Sequence, residues 1–492
     1  MTSLQAPTYV PAAPTRRSWL ALAVLILGVV MGMLDTTIVN VALPTIRTSI
    51  HADEATLSWI ISGYALAYGL ILIPAGRMGD RWGHKWTFTV GLAGFTLASL
   101  LCGLAQSGEQ LIVARVVQGL AAGLFFPAVT ALIQLSFVGR PRGKAFAVMG
   151  AAIGFSAALG PLVGGVLIEW LGSLEGWRSI FFVNLPFGVV GVVAALLFLP
   201  TGVAGADAKG TDAFGFVLLA GSLVALLVPL IEGQNLGWPL WTWFSLAGAV
   251  LLLVAFARWE VRQARGGRTT PLVPPHLFSH PAFTGGVVLA LVYFAAFTGI
   301  FFTISILWQA GLGHSALESG FVSIPFALGS IIGSSRSDHL AHRLGRTVLV
   351  IGAGMVALGL ASVWAVLRFV PAASLTNWEL LVPLLVAGLG SGLFIAPNTQ
   401  FIVATVDRAE AGAASGVIGT MQRMGSASGI AVIGSVFFGT LVIGGPAEVP
   451  QAFTDAAANA MAVSVGFAVV AFGLVFALPT RVAGNLAVIP AD

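Results

Sequence analysis

Apolar runs of roughly 20 residues, broken by short clusters of charge, Pro and Gly, recur along the whole chain. A run of that length crosses the hydrocarbon of a bilayer as one helix. Fourteen runs are predicted as spans, with approximate limits 19–43, 57–75, 86–105, 111–134, 145–168, 179–199, 214–231, 241–257, 283–306, 319–335, 347–367, 380–402, 415–440 and 457–478. The runs 214–231 and 241–257 are short, and merging them would give thirteen spans. It would also break the charge pattern. Lys and Arg mark cytoplasmic loops. With the N-terminus inside, eighteen of the 23 Lys and Arg fall in the tails and even-numbered loops. Three (Arg47, Arg178, Arg368) fall outside, and two (Arg115, Arg423) lie within spans. Both termini are therefore expected in the cytoplasm, and an even span count agrees, since it puts them on one side.

Composition agrees with this pattern. Of 492 residues, 57% are apolar and 9% charged, against about 25% charged in ordinary soluble domains. The expected class is an all-α polytopic membrane protein. A single cysteine, Cys102, excludes a disulfide or a thiolate metal site within one chain. The longest link, Arg258 to Pro281, carries four Arg and four Pro and is too short for a domain. GRPRGKA at 139–145 lacks the glycine spacing and the hydroxyl residue of a phosphate loop, which argues against ATP as direct energy source. No metal-ligand spacing, nucleophile elbow or acid/base pair is present, so no enzyme, cofactor, nucleic acid or obligatory protein partner is expected.

A repeat organises the spans. The loop after span 2 reads GRMGDRWGHK (76–85), and the loop after span 10 reads HRLGRT (342–347). Arg81-x-Gly83 matches Arg343-x-Gly345, with His342 at the place of Asp80. Each loop follows the second span of a six-span block. The predicted units are a disordered tail (1–18), an N-terminal bundle (19–199), two extra helices with a basic linker (200–281), a C-terminal bundle (282–480) and a second tail (481–492). Repeats of this kind are typical of secondary transporters, whose site lies between the halves.

Charges inside spans are costly unless paired or hydrated, and three fall within the predicted limits: Asp35, Arg115 and Arg423. At 1.5 Å per residue, Asp35 lies about 12 Å and Arg115 about 6 Å below the outer surface. An interaction between them, direct or through water, is possible. Such a carboxyl either takes up and releases protons or forms a static ion pair. Arg423, near mid-membrane with no acid in the predicted spans of its half, either bonds backbone and water or faces an anionic group of a cargo. Tyr64 and Tyr68 share a face of span 2. Phe125 and Phe126 on span 4, and Tyr293, Phe294 and Phe297 on span 9, are further aromatic candidates for an apolar pocket or for plain packing. On span 5, Gly150/Gly154 and Gly160/Gly164 form small faces suited to close helix approach, and Pro161 favours a bend.

These residues resemble a known pattern. LDTTIVNVALP (34–44) resembles the span-1 signature of the fourteen-span drug:proton antiporters of the major facilitator superfamily. GRMGDRWGHK is similar to the loop motif of that superfamily, with Gly76, Arg77, Gly79, Asp80, Arg81 and Gly83 in place. ARVVQGLAAG (114–123), with Arg115 and Gln118, is similar to its span-4 motif. GPLVGG (160–165), with Gly160, Pro161, Gly164 and Gly165, resembles the antiporter motif, and WRSIFFVNLPFG (177–188) the start of span 6. The resemblance continues to MQRMGSASGIAV (421–432). It implies the major facilitator fold, two six-helix bundles plus two inserted helices, working by alternating access. It implies export of an amphipathic drug or antibiotic across the bacterial cytoplasmic membrane, driven by the proton gradient without a cofactor, with lipid as surroundings. Alternatives are export of an endogenous metabolite, lipid or self-made antibiotic, and a non-transporting sensor. By the resemblance, Asp35 is the protonation site, Arg115 is linked to coupling, Gln118 is a candidate for the pocket, and Asp80 pairs with a basic residue, here Arg142, to hold the outward-facing state. The lack of a second acid within the predicted spans argues against a large proton:cargo ratio.

Overall fold

A computed structural model describes residues 15–172, 176–201, 212–233, 236–266 and 270–479. Most of each expected tail, residues 1–14 and 480–492, lies outside the described residues. The described chain contains α-, 3-10 and π-helical segments and no strand. Sixteen α-helices occur, and two pairs of them run on across a single residue, Val183 and Ser323, leaving fourteen helical segments. They are α1 (Arg16–Ser49), α2 (Glu54–Trp82), α3 (His84–Leu104), α4 (Gly108–Ser136), α5 (Arg140–Leu171) and α6 (Gly176–Phe198). An inserted pair follows, α7 (Ala213–Glu232) and α8 (Leu240–Gly266). Then come α9 (Pro281–Gly311), α10 (Leu317–Leu344), α11 (Thr347–Phe369), α12 (Asn377–Val403), α13 (Ala411–Thr440) and α14 (Val449–Val475).

Each of the fourteen expected spans falls on one of these segments. Twelve are long and apolar enough to cross a membrane, and α5 makes thirteen if its two arms, bent by 46°, count as one. The bend separates Arg140–Ser156 from Leu159–Leu171. Pro161, just beyond it, lacks the N–H that the carbonyl four residues earlier needs. Helix α13 is 30 residues long but carries Gly, Ser, Gln422 and Arg423 in place of large apolar residues. It is enclosed by α2, α4, α9 and α14, so close approach matters more to it than affinity for lipid.

The packing repeats with an offset of eight helices. Helix α2 packs on α4 as α10 does on α12, α3 on α4 as α11 on α12, and α1 on α5 as α9 on α13. The two halves meet along α2–α13 and α5–α10, contacts related by the same offset. Glycines make the repeated turns possible: Gly83 (φ 94°) and Gly345 (φ 55°) end α2 and α10 in a region that side-chain-bearing residues avoid. The loop match of Arg81-x-Gly83 with Arg343-x-Gly345 thus reflects one backbone device used twice. Helix C-termini leave carbonyls without partners, and these too are met symmetrically. Arg17 and Lys85 donate to Leu197 and Leu196 at the end of α6 (3.0 and 2.7 Å). Arg346 donates to Phe476 and Leu478 at the end of α14.

Several helices outrun the apolar stretches that predict them, and in two of them the extension holds a buried acid. Helix α8 continues past residue 257 to Gly266, and α10 continues past 335 to Leu344. Each extension buries an acid, Glu260 and Asp338. Both acids lie beyond the predicted spans, within which Asp35 is the acid. Loss of apolar character marks the end of the hydrocarbon layer and not the end of the helix.

Candidate functional site

Asp35 stands midway along α1 and is wholly inaccessible to solvent. Arg115 on α4 reaches it with Nη1, 2.6 Å from Oδ2, so the expected interaction is direct. The same nitrogen donates to Oε1 of Gln118 (2.6 Å), and Nε donates to the carbonyl of Ile60 on α2 (3.1 Å). The guanidinium lies 4.1 Å above the ring centre of Tyr64. Gln118, one turn along α4, donates to Oδ1 of Asp35 (2.9 Å) and to Ser99 on α3 (2.8 Å). Asn184 on α6 adds weaker contacts with the same two acceptors, at 3.4 and 3.3 Å. Five helices of the N-terminal half thus converge on one carboxyl group.

The arrangement follows from the cost of burying charge. An isolated carboxylate in a low-dielectric interior is strongly unfavourable, and one paired ion plus hydrogen bonds to the remaining lone pairs offsets most of that cost. Here both oxygens of Asp35 are engaged. Arg115 has partners besides Asp35: Gln118, the Ile60 carbonyl and the face of Tyr64.

The sequence candidates divide into groups. Asp35, Arg115, Gln118 and Tyr64 come together in the carboxyl cluster. Tyr64 adjoins Tyr68, ring centres 6.0 Å apart, and Arg423 of α13 lies 4.0 Å above the Tyr68 ring. A continuous series, Asp35–Arg115–Tyr64–Tyr68–Arg423, therefore runs from the carboxyl to the other half. Phe125 is elsewhere, packed edge-on between Phe88 and Phe95 in the core of the first half. Tyr293 and Phe297 belong to an aromatic cluster of the second half, with Tyr293 stacked 4.2 Å from Phe394. Ser99 and Asn184 are not singled out by the sequence. Asn184 lies inside the 177–188 motif and could be found there, whereas a serine in an apolar run carries no signal.

A second polar group closes the seam between the halves at the end bearing the α2–α3 turn. Both oxygens of Asp80 accept from the first N–H groups of α13, Gly412 (2.8 Å) and Ala413 (3.0 Å). The carboxylate thus caps a helix N-terminus, where backbone donors and the helix dipole favour negative charge. Arg77 (3.7 Å) and His84 (3.3 Å) flank it. These backbone groups are partners of Asp80 across the seam. Gly76 is pressed against the carbonyl of Gly412, and Gly79 against the ring of His84, each leaving no room for a Cβ. Arg81 is exposed at the end of α2. On α5, Gly150 and Gly154 face Ala396 and Ser330 of the second half, and Gly165 faces Leu317. Gly160 and Gly164 instead face Thr37 and Ile38 of α1, just beyond Asp35. Gln134 donates to Val403 (3.0 Å), and Gln400 to Gly143 (3.3 Å), across the same seam. A groove of about 740 Å³ opens at this end beside Arg17, Asp80 and Phe198. Among the described residues no group of three or more His, Cys, Asp or Glu is placed to hold a metal.

Two pseudo-symmetric helical halves with a buried ion pair in one and a capped seam between them define a multi-pass membrane transporter. The chain belongs to the Major Facilitator Superfamily, whose family model matches residues 25–430. It is 37% identical over 429 residues to a probable actinorhodin transporter of Streptomyces coelicolor, covering 87% of this chain and 74% of that one. It is 34% identical to a puromycin resistance protein of Streptomyces alboniger, over 93% of this chain and 89% of the relative. Among solved structures, the proton:xylose symporter XylE superposes with a TM-score of 0.66 at 13% identity, covering 94% of this chain and 96% of that one. The human organic anion transporter MFSD10 gives 0.65 at 16%, covering 93% and 99%. The chain is accordingly a transporter and not an enzyme.

Proposed function

We propose that the protein exports an amphipathic antibiotic-like compound across the bacterial cytoplasmic membrane in exchange for entering protons. The observation that carries this reading is the Asp35–Arg115 pair, sealed in the first half and joined through Tyr64 and Tyr68 to Arg423 at the seam. The printed activities of the relatives, including tetracenomycin C resistance and export in Streptomyces glaucescens, support antibiotics as cargo and transport over sensing. The clustering of Lys and Arg supports the end bearing Asp80 as the cytoplasmic one, with both termini there.

In this cycle a proton from outside neutralises Asp35. Arg115 loses its counter-ion and leans on Tyr64 and the Ile60 carbonyl. The shift passes along α2 to Tyr68 and Arg423, which line the cargo path. The Asp80 cap on α13 then breaks, the inner side opens, and the proton leaves as cargo enters. Units 19–199 and 282–480 rock as bodies, with 200–281 attached to their seam.

The test is uptake of a fluorescent amphipathic compound by inverted membrane vesicles with an imposed proton gradient. Wild-type protein is expected to accumulate the probe, and Asp35→Asn to abolish gradient-driven accumulation at normal expression. Unchanged accumulation by Asp35→Asn would remove this carboxyl from the mechanism.

A further inference from the structure

A second buried acid site lies far from Asp35, at the base of the inserted pair. Asp212 caps α7 and is 3% exposed; Glu260 on α8 is also 3% exposed. Both press on Gly215, where a Cβ would lie 2.5 Å from Oδ2 of Asp212 and 3.0 Å from Oε1 of Glu260. The width of about one methyl group therefore separates two carboxyls. The indole N–H of Trp259 donates to both oxygens of Asp212 (3.0 and 2.9 Å), and the Gly215 N–H to Oδ1 (2.9 Å). Oε2 of Glu260 accepts from the Val273 N–H (3.2 Å), while Oε1, buried, has no hydrogen-bond partner among the described residues. Among the described residues, the cation acting on Glu260 is Arg77 of α2. Its guanidinium is spent on the carbonyls of Pro271 and Leu272 and leans toward Asp80.

Burial, a second carboxylate across Gly215 and a neighbouring cation already engaged elsewhere together favour a proton on Glu260. The unpartnered Oε1 facing Asp212 is where a proton fits, since a metal ion such as Mg²⁺ or Ca²⁺ requires about six oxygens. What the pair touches gives the proton its consequence. Glu260 holds Val273, the neighbouring carbonyls of residues 271 and 272 hold Arg77, Arg77 flanks Asp80, and Asp80 caps α13. His276 extends the same linker to Glu410, at the start of α13, at 3.0 Å.

We propose that Asp212 and Glu260 form a second proton-binding site, through which the proton concentration on their own side of the membrane controls the linker 270–276 and, through it, the seam between α2 and α13. Taking up a proton from water forms an O–H bond on Glu260 directed at Asp212 and lowers the charge of the pair from two negatives to one. The linker then stays clipped to Arg77. Loss of the proton to water sets the two carboxylates against each other, Glu260 withdraws from Val273, and the clip loosens.

The first arm of the test needs no cargo. In full-length protein with Cys102→Ala, maleimide labelling of Leu272→Cys, normally buried, is measured in membranes at pH 6.5 and 8.5. Rates are divided by those of the exposed Thr270→Cys, which removes the effect of thiol ionisation. The normalised rate is expected to rise at least fivefold with pH, and to stay at its low value when Glu260→Gln is added. Asp212→Asn, which dissolves the pair from the other side, is expected to flatten the response as well and guards against a folding defect in either variant. A response that is absent in the parent, or that survives both substitutions, overturns the proposal. The second arm rests on the exporter reading: in inverted vesicles at fixed gradient, transport is expected to climb with external pH in wild type and not in Glu260→Gln. Parallel profiles in the two would contradict the inference. Absence of all gradient-driven transport would sink the exporter reading and leave the labelling arm to decide on the clip.

Discussion

Arg115 holds four different partners at once: a carboxylate, an amide oxygen, a backbone carbonyl and a ring face. A planar guanidinium can do this and a lysine ammonium cannot. Removing it altogether leaves Asp35 buried without a counter-ion, a loss worth about 3–5 kcal/mol. Arg115→Ala is therefore expected to lower the thermal unfolding temperature in detergent. Ser99→Ala, which deletes one acceptor of Gln118, costs about 1 kcal/mol and is expected to leave transport near normal. Equal destabilisation by both would mean that the ion pair carries no special weight. The sequence reveals Asp35 and Arg115 because charge in an apolar run has to be explained. It does not reveal Ser99, whose hydroxyl is tolerated almost anywhere in a helix, and it leaves the role of Gln118 open, because an amide can serve either a cargo or a carboxylate.

At the level of helices, the halves meet backbone to backbone where Gly76 contacts Gly412 beneath the Asp80 cap. A methyl group at residue 412 meets the Gly76 carbonyl, the Asp80 carboxylate and His84 together. Overpacking of this kind costs about 1–3 kcal/mol, and on the exchange cycle proposed above the cost falls on the arrangement closed at this end. Gly412→Ala is expected to shift the population toward the form open at this end, read as faster thiol labelling of cysteines placed along the seam. An unchanged labelling pattern would show that the seam is held elsewhere. Helix positions are legible in the apolar periodicity, but their ends are not. Arg258, Glu260, Arg262 and Arg265 interrupt the apolar run of α8 without interrupting its hydrogen bonds. A reading by hydropathy therefore stops a helix at the membrane surface and overlooks the buried acid just beyond.

For the molecule as a whole, the offset-of-eight packing makes the two halves interchangeable in outline and different in content. The ion pair sits in the first, while the corresponding interior of the second is filled by the stacked rings of Tyr293, Phe297 and Phe394. The duplication is legible in one short loop match. The difference in content is not, because it depends on which faces turn inward. A cross-link tests whether the halves must separate at the Asp80 end. The Cβ of Ala396 lies 3.2 Å from where one on Gly150 would be, close to the roughly 3.5–4.5 Å of a disulfide. With Cys102→Ala, the pair Gly150→Cys and Ala396→Cys is expected to arrest transport on oxidation and restore it on reduction. Transport persisting in the oxidised form would exclude rocking about this seam.

The carboxyl group is enclosed within a single half, away from the surface that the other half sweeps. On the exchange proposed above, fuel and freight then travel by separate routes that meet only through the side of one helix. Residues along the seam are thereby free to change with the chemistry of whatever must be expelled, while the engine behind Tyr64 stays as it is.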